Sequence, residues 1–190
     1  MAVLILGMIL FLGGHSVRIV APGFRERMVA QHGEGAWKAV YSLIAFVGIV
    51  LIVIGYGAAR ADPIVLWQPP IWTRHLAVLL MVPVFVLIAA AYLPGRIKTA
   101  LKHPMLAGVK LWALAHLLAN GTLADVVLFG GFLAWAVADR ISLKRRDGAP
   151  PLAVAPAGPR NDALAVIVGL AVYALFVLYL HRVLFGVSPL

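Results

Sequence analysis

The chain has 190 residues, of which 63% are hydrophobic and 12% charged, with a net charge of +9 and a mean hydropathy of +1.00. A soluble domain is about 45–50% apolar and about 25% charged, so a water-soluble globule is excluded; a bilayer, where lipid-facing positions must also be apolar, accommodates this composition. The chain has no cysteine, which removes disulfides, thiolate metal sites, a cysteine nucleophile and covalent c-type haem attachment.

Six segments read as spanning helices, against the roughly 20 apolar residues that a hydrocarbon core requires. The first, Ala2 to Val20, lacks a basic leader and a small-residue cleavage site, so it reads as a retained helix. A polar stretch from Arg18 to Gly35 follows, with FRERMVAQHG as a surface helix. The second span runs from Trp37 to Ala58. The third runs from Ile71 to Tyr92, with Pro83 expected to kink it. PGRIKTALKH, Pro94 to His103, mixes basic and aliphatic residues and reads as a short interfacial helix. The fourth span, Pro104 to Asn120, and the fifth, Thr122 to Ala138, are short; the turn signal Asn120-Gly121 joins them as a helical hairpin. Arg140 to Asp162 is rich in Pro, Ala and Gly and reads as a flexible linker. The sixth span runs from Ala163 to Phe185. The fold class is therefore all-α, a polytopic transmembrane bundle of about six helices in a single domain, 1–190.

The basic residues set the orientation. Twelve of the 16 Lys and Arg residues fall in the first, third and fifth loops, three (Arg60, Arg74 and Arg182) fall on the opposite side, and Lys110 lies inside a helix. Short basic loops remain cytoplasmic, which places both termini in the periplasm. Topology also accounts for the positive charge, and nucleic acid is not called for; the partner is the lipid bilayer.

Intramembrane polar side chains mark functional positions. His15 follows Gly13-Gly14, which would let a helix or a flat cofactor approach the backbone. Trp112, His116 and Asn120 share one helix face at i, i+4, i+8, and His103 and Lys110 share another. The competing reading is that each histidine only hydrogen-bonds a neighbouring helix. Counting about 1.5 Å per residue, His15 and His116 fall about 10 Å apart in depth, and His103, nearer the interface, is the alternative partner of His15. Lys110 either meets an acidic group or snorkels to the interface. Asp125 is expected to satisfy backbone donors at a helix start. His32, His75 and His181 read as solvated or interfacial. The sequence contains no phosphate-binding glycine loop and no His-Glu-x-x-His pattern.

The block HPMLAGVKLWALAHLLANGTLADVVLFG, with GGHSVR and YSLIAFVGIVLIVIGYG before it, resembles the NnrU family of bacterial membrane proteins over nearly the whole chain. The resemblance implies a multi-pass protein of the bacterial inner membrane associated with denitrification, with nitrite or nitric oxide reductase components as partners. The same pattern is similar to zeta-carotene isomerase, which binds b-type haem between membrane helices. Its haem histidines correspond in motif to His15 of GGHSVR and His116 of ALAH, while the cysteine that it carries three residues before the second is Ala113 here. By this resemblance haem b is the cofactor, with His15 and His116 as iron ligands, Trp112 and Asn120 packing at the ring, and Lys110 or Arg18 pairing with a propionate. A more distant likeness is to isoprenylcysteine-type methyltransferases, through Lys102-His103-Pro104 and Gly108; the late Glu-Glu pair of those enzymes is absent, as no glutamate follows Glu34. Three function classes follow: a haem protein of nitrogen-oxide metabolism, acting in redox, sensing or gated catalysis; a membrane enzyme acting on a lipophilic substrate, as isomerase or methyltransferase; and a cofactor-free assembly factor for a reductase.

Overall fold

The computed structural model describes residues 1–145 and 158–190, and within them the backbone is helical, with no strand and one isolated bridge between Val65 and Thr122. The helices are α1, Ala2–Val20; α2, Pro22–Ala61; α3, Ile71–Tyr92; α4, Arg96–Leu101; α5, Pro104–Ala119; α6, Leu123–Arg145; and α7, Pro159–Phe185. Five of these, α1, α2, α3, α6 and α7, are long and apolar enough to cross a bilayer, whereas α5 has 16 residues. At 1.5 Å per residue α5 is about 24 Å long, short of a hydrocarbon core of about 30 Å. Large apolar side chains point outward from the long helices: Val53 is 65% exposed, Leu79 64% and Ile167 64%. In water such surfaces would aggregate; in lipid they are solvated. The protein is an all-α polytopic membrane protein.

Most expected boundaries coincide with the helices, and α4 is the short helix expected from PGRIKTALKH. α2 is broken at Gly33, whose φ of 83° is open to glycine and costly for other residues. The break separates the segment carrying FRERMVAQH from the span that holds Trp37, as the surface-helix reading required. α3 runs on through Pro83. α6 and α7 each contain one widened turn, Val126–Gly130 and Phe176–Leu180, of a kind often found at functional positions. The middle of the expected Arg140–Asp162 linker lies outside the described residues; its ends belong to α6 and α7.

The chain packs as two compact units, one of Met1–Trp67 with Thr122–Arg145, the other of Gln68–Gly121 with the described part of Arg146–Leu190. The expected fourth and fifth spans fall in different units, α5 packing on α3 and α6 on α1. Between them the Asn120 backbone is extended, in place of the turn expected at Asn120-Gly121.

In the first unit, α1 and α2 meet backbone to backbone. A Cβ at Gly7 would lie 2.6 Å from the Ile52 nitrogen, one at Gly48 would lie 2.8 Å from the Phe11 nitrogen, and one at Gly55 would strike the Leu4 backbone. Small residues permit such approach in lipid, where van der Waals packing drives association. Gly7 seats the neighbouring helix closely, whereas at Gly13-Gly14, expected to admit a helix or a flat cofactor, a Cβ on Gly14 would meet the Ile44 side chain at 3.8 Å and one on Gly13 would meet nothing within 4 Å. In the second unit, α3 packs against both α5 and α7. Gly169 sits on the Val86 backbone, and the Tyr173 hydroxyl donates to the Val78 carbonyl at 3.0 Å. The Asp162 carboxylate, in the first turn of α7, accepts the Arg96 and Ile97 amides at 3.0 Å each and so caps the start of α4.

Candidate functional site

His15 lies in the last third of α1, half-buried, with Nδ1 2.7 Å from the Phe11 carbonyl oxygen. A carbonyl only accepts, so Nδ1 carries the proton of the bond, and in the neutral ring the lone pair resides on Nε2. Three aromatic side chains hold the ring: Phe11 at 4.3 Å between centroids, Tyr41 at 5.3 Å from α2, and Trp135 at 5.9 Å and 87° from α6. His15 is thus surrounded by α1, α2 and α6 of one unit, with its orientation fixed by a backbone acceptor.

Trp135 carries a further feature. Its Nε1 is buried without a hydrogen-bond acceptor, an arrangement that costs about 1–3 kcal/mol. The indole also lines an open groove of about 660 Å³ along α1 and α6, with Met8, Leu12, Gly13 and Ser16 among its walls. The Ser16 hydroxyl is turned back to the Leu12 carbonyl at 2.6 Å, so the groove is lined mainly by apolar atoms.

His116 repeats the arrangement in the second unit. Its Nδ1 lies 2.9 Å from the Trp112 carbonyl oxygen, and the Trp112 and His116 rings are 5.3 Å apart. The expected stripe of Trp112, His116 and Asn120 is therefore present on α5. The Asn120 side-chain amide donates to the His116 carbonyl at 2.9 Å, which closes the end of the helix. Lys110 is half-buried on α5 at a different angular position from His116, and Arg18 is exposed in the last turn of α1, three residues from His15. His103 is the residue before α5 and is half-buried. His32 and His75 are exposed, and His181 is held by the Val187 carbonyl at 2.8 Å.

Asp125 performs the structural task expected of it. Its carboxylate accepts the Thr122 amide and hydroxyl at 2.9 and 2.6 Å, while the Thr122 hydroxyl accepts the Asp125 amide at 3.3 Å. Sequence reasoning missed Tyr56, whose hydroxyl also donates to Asp125, and it missed Tyr41 and Trp135 beside His15. The spacing of Trp37 and Tyr41, i and i+4 on one face, was a usable signal for the second. Trp135 gave none, because its contact with His15 joins distant parts of the chain.

Among the described residues no three His, Asp or Glu side chains converge on a metal position. A haem requires fewer protein ligands than a zinc or calcium site, an imidazole on each face of the iron being sufficient. Each unit holds one such histidine, His15 in the first and His116 in the second, with its Nδ1 on a backbone carbonyl and Nε2 left for another partner.

A family model described as NnrU protein matches residues 3–189. No curated protein matches the chain, and no solved structure does.

Proposed function

The chain belongs to the NnrU family, and on that premise we propose that it is a b-type haem protein of the bacterial inner membrane, working in nitrogen-oxide metabolism with His15 and His116 as iron ligands. One observation carries the reading: the two histidines that the family pattern singles out both present Nδ1 to a carbonyl one turn back, at 2.7 and 2.9 Å. This bond sets the tautomer and leaves Nε2 as the ligating nitrogen, as in metal-bound imidazoles generally. Bound haem would supply a one-electron couple. The chain's own residues do the rest. Phe11 and Trp112 hold the imidazole planes, Arg18 and Lys110 offer positive charge to propionates, and the surrounding apolar helices exclude water. The physiological partners in this reading are nitrite or nitric oxide reductase components, with both termini in the periplasm.

A second reading, an enzyme acting on a lipophilic substrate, draws on the open apolar groove along α1 and α6, where a lipophilic molecule could lie against the helices. The visible spectrum of the purified protein separates the readings. The haem reading expects a Soret band that is lost or strongly shifted in His15→Ala and in His116→Ala, with both variants still membrane-inserted, and unchanged in His32→Ala. Loss in His103→Ala with an intact His116→Ala spectrum would make His103 the second ligand. A protein that carries no Soret band in any preparation returns the function to an enzyme or assembly factor without haem.

A further inference from the structure

Within the first unit α1 and α6 run in the same direction, as the ring contacts of Phe11 with Phe132 and of His15 with Trp135 show. The seam between them is the open apolar groove, walled on α1 by residues from Ile5 to Val20. At 1.5 Å per residue it is about 22 Å long. That exceeds the depth of about 15 Å that one acyl chain spans, half of a hydrocarbon core of about 30 Å. Gly13 belongs to the wall, and with nothing within 4 Å of a Cβ there, a chain has room against the α1 backbone. The two ends of the groove differ. Towards Ile5 the walls are apolar. Towards Val20 stands Trp135, whose Nε1 is buried without an acceptor. Asp139 and Arg140 follow four and five residues later on α6, so the indole lies about 7 Å below the charged level. This is the boundary between head groups and chains, where the ester carbonyls of a phospholipid lie. Arg145 is seven residues beyond Ala138 of the groove wall, on the same stripe of α6, and is exposed in the last turn of the helix. Helical side chains lean towards the helix N-terminus, so the register sets Arg145 above this end of the groove.

We propose that this groove holds one anionic phospholipid, taken from the leaflet at the basic ends of α1 and α6. One acyl chain lies along the groove past Gly13 towards Ile5. The indole of Trp135, only partly buried as a whole, turns within the open groove and gives its N–H to an ester carbonyl. The phosphate lies at the charged level, where Arg140, Lys144 and Arg145 outnumber Asp139. Charge complementarity favours this occupant over a neutral lipophile, which would leave the basic end unanswered, and an anionic leaflet concentrates such lipids at basic segments. The lipid fills the seam between two helices as a component of the fold, and the proposal does not depend on haem at His15.

The test is native mass spectrometry of the full-length protein, extracted in mild detergent from vesicles of phosphatidylethanolamine and phosphatidylglycerol in equal parts. One retained phosphatidylglycerol per chain is expected. Its retention should fall several-fold in Trp135→Phe and in Arg145→Gln, and be lost in Gly13→Leu, which fills the groove while improving helix propensity. Ala134→Leu, on the facing wall, gives the same readout if Gly13→Leu does not accumulate. Gly57→Leu, equally open on α2, should retain the lipid. No retained lipid, equal retention of phosphatidylethanolamine, or a lipid that survives both groove-filling variants overturns the proposal. A retained molecule whose mass is not that of a phospholipid also overturns it and returns the groove to the reading of a lipophilic substrate.

Discussion

The Tyr56 hydroxyl donates a 2.6 Å hydrogen bond to Oδ1 of Asp125, fastening α2 to the first turn of α6. Asp125 is 4% exposed, and Thr122 supplies its remaining partners. Because the carboxylate both caps a helix and joins two, its removal should cost more than that of either function alone. Tyr56→Phe is expected to lower unfolding stability by about 1–2 kcal/mol, in the range of a hydrogen bond to a charged group. Asp125→Ala also forfeits the cap, which adds about 0.5–2 kcal/mol. Thermal unfolding in detergent, followed by circular dichroism, checks the order, and equal losses in the two variants would contradict it.

The close passage of α1 over α2 makes a second expectation. Gly55→Ala places a methyl group on the Leu4 backbone, which no side-chain rotation can relieve. The expected loss is about 1–3 kcal/mol, as for overpacked cores. Gly57→Ala is the comparison, since a Cβ there has nothing within 4 Å; it should leave stability unchanged or raise it by up to about 1 kcal/mol. Both variants can be measured in the same unfolding assay.

The Asp162 cap holds α4 to α7 through the Arg96 and Ile97 amides, and the Asn161 side chain adds a bond to the Pro94 carbonyl at 2.6 Å. Gly95 is required there because a Cβ would collide with the Asp162 carboxylate. Asp162→Ala should release α4 and expose Arg96, Lys98 and Lys102 to trypsin. Limited proteolysis in membrane vesicles open on the appropriate side should show faster cleavage at these positions than in the unaltered protein. Unchanged cleavage would mean that the cap does not retain the helix.

Topology turns on α5. Five helices are long enough to cross, and with 16 residues α5 crosses only where the bilayer thins or flanking residues reach the interface. The topology expected from the charge pattern has it cross. A periplasm-dependent reporter fused after Leu190 should be active, and one placed after Arg145 should be inactive. The reverse result at Leu190 would leave α5 within one leaflet and put the termini on opposite sides.

The sequence by itself determined that this is a membrane protein, where α1 and α3 start and stop, which histidines share a pattern, and that Asp125 caps a helix. Each of these is written in local spacing: a run of apolar residues matched to bilayer thickness, a repeat of three or four along one helix, or a Thr and an Asp three residues apart. Only the tertiary structure decided that α5 packs on α3 and α6 on α1, that Gly7, Gly48 and Gly55 seat one helix on another, and that Tyr41 and Trp135 flank His15. In lipid every outward face is apolar, so hydrophobic periodicity no longer marks which face of a helix is buried. The partner is chosen by shape and by a few polar contacts such as that between Tyr56 and Asp125, and those are settled only when the helices meet.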